Sequence, residues 1–125
     1  MDLKSLLFSL DGRIGRQKYI GSVLLASLAG FVASFIVSFV VSLITTLLFG
    51  RNAGAVAGMV ASAPFVLAGW WAGVALAVKR VHDRDRSGWF MLVCLIPLVG
   101  LWFIVETLFL KGTDGTNRFG ADPLA

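Results

Sequence analysis

The chain alternates between long apolar stretches and short clusters of charge. Residues 19–50 and 52–78 contain no charged side chain, and residues 87–110 contain only Glu106. An uninterrupted apolar run of about 18 or more residues is typical of a helix that crosses a membrane. The pattern therefore predicts an all-α integral membrane protein with three transmembrane helices. The predicted spans lie near residues 20–49, 53–78 and 88–110.

The third apolar run is interrupted at its middle by Pro97 and Gly100. The first interpretation is a kinked helix that spans fully, in which Glu106 lies toward the outer end and is solvated. The alternative is a re-entrant hairpin that turns at residues 97–100. The side of the C-terminus separates the two interpretations. Only the hairpin brings the N-terminal segment, the charged loop 79–87 and the C-terminal tail to one face.

The two ends of the chain are predicted to lie outside the spans. Leucines at positions 3, 6, 7 and 10 form an apolar stripe, which predicts a short amphipathic helix over 2–10 in the membrane interface. The tail 111–125 is rich in Gly, Asp and Asn, which favours irregular turns. We expect no cleaved signal peptide, because charged residues precede the first long apolar run. Residues 1–125 are interpreted as a single membrane domain.

Charge sets the predicted orientation. Hydrophobic residues make up 58% of the chain and charged residues 14%, where roughly a quarter is usual in soluble proteins. Eight of the 11 Lys and Arg residues lie before the first span or in loop 79–87. The positive-inside rule therefore places the N-terminus and this loop in the cytoplasm. Cations at membrane edges point to anionic lipid headgroups and not to nucleic acid.

Small residues recur every four positions in the first two spans. This spacing allows helix backbones to approach closely, so we predict a packing seam within the protein or against another membrane protein, including a second copy. A short connection at residues 50–52 makes the two spans antiparallel neighbours. The predicted packing positions are Ala26, Gly30, Ser34, Ser38, Ser42, Gly54, Gly58, Gly69 and Gly73.

Two basic motifs, GRIGRQKY and KRVHDRDRSGW, face the same predicted side of the membrane. Guanidinium groups bind phosphate bidentately, so the motifs predict a cytoplasmic basic rim that binds anionic lipid or a protein partner. The predicted binding residues are Arg13, Arg16, Lys18, Tyr19, Lys79, Arg80, His82, Asp83, Arg84, Asp85, Arg86, Ser87 and Trp89.

Three other interpretations stay open, two of the charged loop and one of the whole protein. In a helical loop, Lys79 or Arg80 can pair with Asp83 at helical spacing, so that the charges are purely structural. In an enzyme, His82 would act as a base oriented by Asp83 or Asp85. In an oligomeric transporter or channel, the serines of the first span would line a path.

The motif evidence for catalysis or metal binding is weak. The chain has no nucleophile elbow, no HExxH sequence and no paired metal-ligand motif. Its single cysteine, Cys94, has no partner for a disulfide or a metal. We therefore predict no catalytic residue, no cofactor and no metal.

Four motifs occur in a fixed order: GRIGRQKY, KRVHDRDRSGW, LIPLVG and GTDGTNRFGADP. In this order they resemble the bacterial membrane-protein family catalogued as domain of unknown function 805, over about residues 8 to 123. The resemblance implies a small multi-pass protein of the bacterial inner membrane and implies no activity. Together with the residue patterns it leads us to expect a non-enzymatic scaffold or accessory subunit.

Overall fold

The computed structural model describes all 125 residues and is helical, as predicted. Two helices are long and apolar enough to cross a membrane, with 34 and 33 residues. Both extend beyond the predicted spans at their charged ends. The elements are α1 (Leu3–Phe8), α2 (Arg16–Phe49), α3 (Arg51–Asp83), a 3₁₀ helix (Gly88–Leu95) and α4 (Val99–Leu108).

The third apolar run does not form the predicted continuous helix over 88–110. It breaks at Pro97, which cannot donate a backbone hydrogen bond and which forces Ile96 into an extended conformation. Leu98 then adopts a left-handed conformation with φ of 67°. The eight-residue 3₁₀ helix and the ten-residue α4 are each about 15 Å long. Neither covers a hydrocarbon core of about 30 Å.

The two halves of this run pack against each other. A Cβ placed on Gly100 would lie 2.7 Å from the carbonyl oxygen of Cys94, so only a glycine permits this approach. The rings of Phe90 and Phe103 lie 6.1 Å apart between centroids. The chain therefore turns back near Pro97, at the position where the alternative interpretation placed a turn.

Residues Leu25–Trp71 form one compact unit, made of the facing parts of α2 and α3. Gly50 joins the helices with φ of 93°, a conformation that favours glycine. A Cβ on Gly58 would lie 3.0 Å from the carbonyl oxygen of Ser38 and from Cβ of Ser42. On Gly54 it would lie 2.7 Å from the carbonyl oxygen of Ser42. The helix backbones therefore meet closely at these small residues.

Other predicted packing glycines behave differently. A Cβ on Gly30, Gly69 or Gly73 would meet nothing within 4 Å. The close approach is thus confined to the end of the unit near the α2–α3 connection. The large apolar side chains of α2, such as Phe31, Phe35 and Phe39, point outward.

The second compact unit contains residues Met1–Leu24 and Ala72–Ala125. Its apolar core is small and centres on Ala77, Val81 and Phe103, with Tyr19 and Met91 packed against it. Polar side chains occupy much of the remaining interior. This unit holds both ends of the chain, the charged loop and the hairpin, and it therefore contains the candidate site.

Candidate functional site

Asp83, the last residue of α3, is the centre of a buried polar cluster. Its Oδ1 accepts hydrogen bonds from Nε and Nη2 of Arg13 at 3.2 and 3.0 Å. Its Oδ2 accepts one from Nη1 of Arg80, which lies on the same helix face three residues earlier. One carboxylate therefore neutralises part of the charge of two guanidinium groups, and all three side chains are at least 95% buried.

Arg13 connects the segment before α2 to the C-terminal tail. Its Nη1 donates to the carbonyl oxygens of Gly115 and Gly120 at 2.7 and 3.1 Å. Its Nη2 also donates to the carbonyl oxygen of Thr113 at 2.7 Å. Together with Asp83 these acceptors use all five donors of the guanidinium. This side chain has no donor left for an external phosphate.

The tail is folded by short local hydrogen bonds. Backbone amides of Gly115 and Leu124 each donate to the carboxylate of Asp122 at 2.9 Å. These bonds hold the pKa of Asp122 below its usual value. Asn117 and Gly120 exchange backbone hydrogen bonds across a tight turn. The turn presents the carbonyl oxygen of Gly120, one of the three backbone carbonyls that Arg13 binds.

Arg80 and Arg16 cap the C-terminal end of α4. Nε of Arg80 donates to the carbonyl oxygen of Thr107 at 2.8 Å, and its Nη2 donates to that of Leu110. Nη1 of Arg16 donates to the carbonyl oxygen of Phe109 at 2.8 Å. The last carbonyls of a helix have no partner within the helix and carry partial negative charge. The two cations therefore fix α4 beside the ends of α2 and α3.

Lys79 performs the same task for α1. Its ammonium is fully buried and donates to the carbonyl oxygens of Ser5, Leu6 and Ser9. Asp2 caps the other end of α1 by accepting from the amide of Ser5 at 3.1 Å. A six-residue helix is marginal on its own, so these contacts hold it in place.

Glu106 forms a second buried group, at a different place from the solvated outer end that a full span would give it. Its Oε1 accepts from Nε of Arg84 at 3.3 Å and from Nε of Arg86. The guanidinium of Arg86 lies over the ring of Phe90, 4.4 Å from its centroid. The prediction fails because the chain turns at Pro97 and returns α4 to the charged loop. The other carboxylate oxygen, Oε2, has no hydrogen-bond partner.

His82 is held in place by contacts of both its ring and its backbone. Nδ1 lies 3.2 Å from the carbonyl oxygen of Gly12, and the ring stacks on Phe119 at 3.9 Å and 3°. Asn117 donates to the backbone carbonyl of His82 at 2.9 Å. No carboxylate orients the imidazole, because Asp83 binds arginines and Asp85 binds Arg118 at 3.1 Å. Neither of the two carboxylates that the sequence offered as partners of His82 therefore binds its imidazole.

The family model described as "Protein of unknown function (DUF805)" matches residues 7–121, which include every residue of the Asp83 cluster. The chain belongs to the DUF805 family. No solved structure is similar to it.

Relatives in Escherichia coli strain K12 include two proteins named for the inner membrane. Inner membrane protein YhaH is 46% identical over 54 residues, 43% of this chain and 42% of YhaH. Inner membrane protein YhaI is 42% identical over 60 residues, 47% of this chain and 50% of YhaI. The matches thus span half or less of each relative. Uncharacterized protein YiiR is 30% identical over 156 residues, which cover 98% of this chain and 90% of YiiR.

In this DUF805 chain the residues of the predicted basic rim fall into two groups, those that are buried or half-buried and those that face outward. Five of its residues are buried and bonded within the protein: Arg13, Lys79, Arg80, His82 and Asp83. Arg84 and Asp85 are half-buried and bonded, and Tyr19 packs in the core. Outward-facing members are Arg16, Lys18, Arg86, Ser87 and Trp89.

Residue spacing alone missed the partners from the second half of the chain. Thr113, Gly115 and Gly120 supply acceptors to Arg13, and Phe119 supplies the surface on which His82 stacks. They lie about a hundred residues from Arg13, so no helical periodicity relates them. Two signals pointed to the tail without assigning partners: the GTDGTNRFG motif of the family resemblance, and the hairpin alternative, which brings the tail to the face of the N-terminal segment and the charged loop.

Proposed function

We propose that this DUF805 protein is a non-enzymatic inner-membrane scaffold or accessory protein whose outward-facing cytoplasmic cations bind anionic lipid. The proposal rests on the observation that some basic residues are buried within the protein and others face outward. The buried cations Arg13, Lys79 and Arg80 donate their N–H groups to acceptors within the protein, so their role is structural. Arg16, Lys18 and Lys4 face outward, and neither lysine forms an ion pair.

The proposed topology follows from the contacts of the tail. The amide of Thr113 donates to the carbonyl oxygen of Asp83 at 2.7 Å, so the tail and the charged loop share one side. We therefore propose two full spans, α2 and α3, and a hairpin over 88–108 that enters the membrane and returns. Ten of the 11 cations, all except Arg51, then lie in the cytoplasm. The positive-inside rule favours this arrangement over three full spans.

The contacts of the serines favour a scaffold over a channel. Ser38 and Ser42 lie against Gly58, where they form a helix–helix contact. The hydroxyl of Ser34 donates to the carbonyl oxygen of Phe31 at 2.9 Å in its own helix. These contacts place Ser38 and Ser42 at a helix–helix interface and the Ser34 hydroxyl in a bond within its own helix, whereas the hydroxyls that line a conducting path face water.

Lipid binding is tested with the double variant Arg16→Gln, Lys18→Gln. The purified protein is heated in a neutral detergent with added phosphatidylglycerol or phosphatidylcholine. We expect the wild type to be stabilised more by phosphatidylglycerol, and the double variant to lose most of this difference, because each exposed cation near an anionic surface contributes about 1 kcal/mol.

Arg51→Gln is the matched control, because Arg51 is exposed in the connection proposed to face the periplasm. It should retain the full preference. An unchanged preference in the double variant at low salt contradicts the proposal. An equal loss in Arg51→Gln contradicts it as well, because the attraction would then reflect net charge alone.

A further inference from the structure

A cavity of about 440 Å³ opens beside the charged loop, within the unit that holds both chain ends. Its walls are apolar and include Leu10, Val78, Met91 and Leu92. The volume falls in the range of about 300–1,000 Å³ that is typical of pockets for small molecules. The cavity is separate from the Asp83 cluster, whose carboxylate and guanidinium groups do not line it.

Four residues of the cavity wall carry polar side-chain groups: the carboxylate of Asp11, the imidazole of His82, the hydroxyl of Ser87 and the indole N–H of Trp89. Asp11 is exposed and forms no ion pair with any cation. The Nδ1 of His82 faces the carbonyl oxygen of Gly12, which can only accept, so Nδ1 carries the proton. In the neutral ring, Nε2 is then an acceptor. It lies on the side of Gly88, another residue of the cavity wall.

This combination selects a ligand by its chemistry. A carboxylate and an imidazole lone pair complement a headgroup that brings N–H donors and positive charge, and the hydroxyl of Ser87 can donate to a phosphate oxygen. A quaternary ammonium has no N–H to donate, and a headgroup with net negative charge is repelled by the carboxylate of Asp11. Both headgroups are therefore disfavoured. Trp89 also lines the cavity and is 79% exposed. Such aromatic side chains are typical at headgroup depth in a bilayer.

We propose that this cavity binds a phospholipid with a primary ammonium headgroup, of the phosphatidylethanolamine class. The ammonium contacts Asp11 and Nε2 of His82, and an acyl chain enters the apolar part of the cavity. The proposal rests on the membrane position given in the proposed function. It concerns a different lipid class and different residues from the outward-facing cations Arg16 and Lys18.

The test uses Trp89 as the reporter. Trp70, Trp71 and Trp102 are replaced by Phe, and the protein is reconstituted in phosphatidylcholine vesicles. Equal small fractions of brominated phosphatidylethanolamine, phosphatidylcholine or phosphatidylglycerol are then added in separate experiments. We expect the ethanolamine lipid to quench Trp89 with about two- to fivefold higher apparent affinity than the other two, the range of a partly exposed ion pair.

Asp11→Asn in the same background removes the carboxylate and should bring the three affinities to within error of one another. Asp114→Asn is the control, because Asp114 is an exposed carboxylate of the same unit that does not line the cavity. It should leave the preference intact. Asp11 is exposed, so its variant tests binding and not folding; thermal unfolding of both variants checks this.

The proposal is overturned if the three lipids quench equally, if Asp11→Asn keeps the preference, or if Asp114→Asn loses it. A preference for phosphatidylglycerol that disappears in Arg16→Gln, Lys18→Gln overturns the cavity site and supports the proposed function. A preference for phosphatidylethanolamine, with no stabilisation by phosphatidylglycerol, supports the cavity site and contradicts the proposed binding of anionic lipid. The two proposals can therefore fail independently.

Discussion

At the scale of single residues, the most consequential side chain is Asp83. It lies between two buried guanidinium groups and is itself 3% exposed. A buried charge is tolerated only when it is paired and its hydrogen bonds are satisfied. Arg13 and Arg80 meet this condition through Asp83 and through backbone carbonyls. The first role of this carboxylate is therefore to stabilise the fold by neutralising two buried cations.

The variant Asp83→Asn should cost about 3–5 kcal/mol of stability, because it leaves two buried guanidinium groups without their counter-charge. The measurement is the unfolding midpoint of the purified protein in detergent under increasing denaturant. Asp114→Asn is the control, since its partner Lys111 is also largely exposed, and it should change stability by less than about 0.5 kcal/mol. Similar midpoints for the two variants would contradict the structural role of Asp83.

At the scale of elements, the sequence predicted helices at α1, α2 and α3, and it offered the break after Leu95 only as the second of two interpretations of the third apolar run. An apolar run that is buried in lipid has the same pattern whether it crosses the membrane or turns back. Pro97 and Gly100 marked the position of an irregularity, yet a proline also occurs in kinked spans. The structure shows a turn, because Gly100 contacts Cys94 and Glu106 returns to Arg84 and Arg86.

The Asp83 cluster was only partly accessible to sequence reasoning for a related reason. The pair formed by Arg80 and Asp83 follows from helical spacing, and it was among the interpretations of the loop. The partnership of Arg13 with Asp83 joins residues 70 positions apart. It requires the segment before α2 to return to the end of α3, which no local pattern specifies.

The packing of α2 against α3 gives a matched pair of variants within one helix. Gly58→Leu places a large side chain where even a Cβ lies 3.0 Å from α2, and should destabilise the protein by about 1–3 kcal/mol. Gly69→Leu places the same side chain where nothing lies within 4 Å, and should be neutral or stabilising, because glycine is a poor helix former. Unfolding midpoints in detergent compare the two. Equal effects would show that close packing at Gly58 contributes no stability.

At the scale of the whole molecule, the charge distribution and the internal contacts both support the proposed topology. Lys111 and Arg118 follow the hairpin, and Arg118 binds Asp85 in the charged loop. In a three-span protein these two cations would face the periplasm and could not reach the loop. In the proposed topology the returning hairpin places these two cations, with the other cations and both chain termini, on the side proposed to be cytoplasmic.

Reporter fusions test this topology directly. Green fluorescent protein fused after Ala125 should fluoresce, and alkaline phosphatase at the same position should be inactive, because the C-terminus is proposed to be cytoplasmic. Fusions after Asn52, in the connection between α2 and α3, should give the opposite pair of results. Active phosphatase after Ala125 would mean that residues 88–110 cross the membrane. The bonds from Arg13 to the tail could not then exist in the membrane-inserted protein, so one fusion pair tests both the topology and the cluster that depends on it.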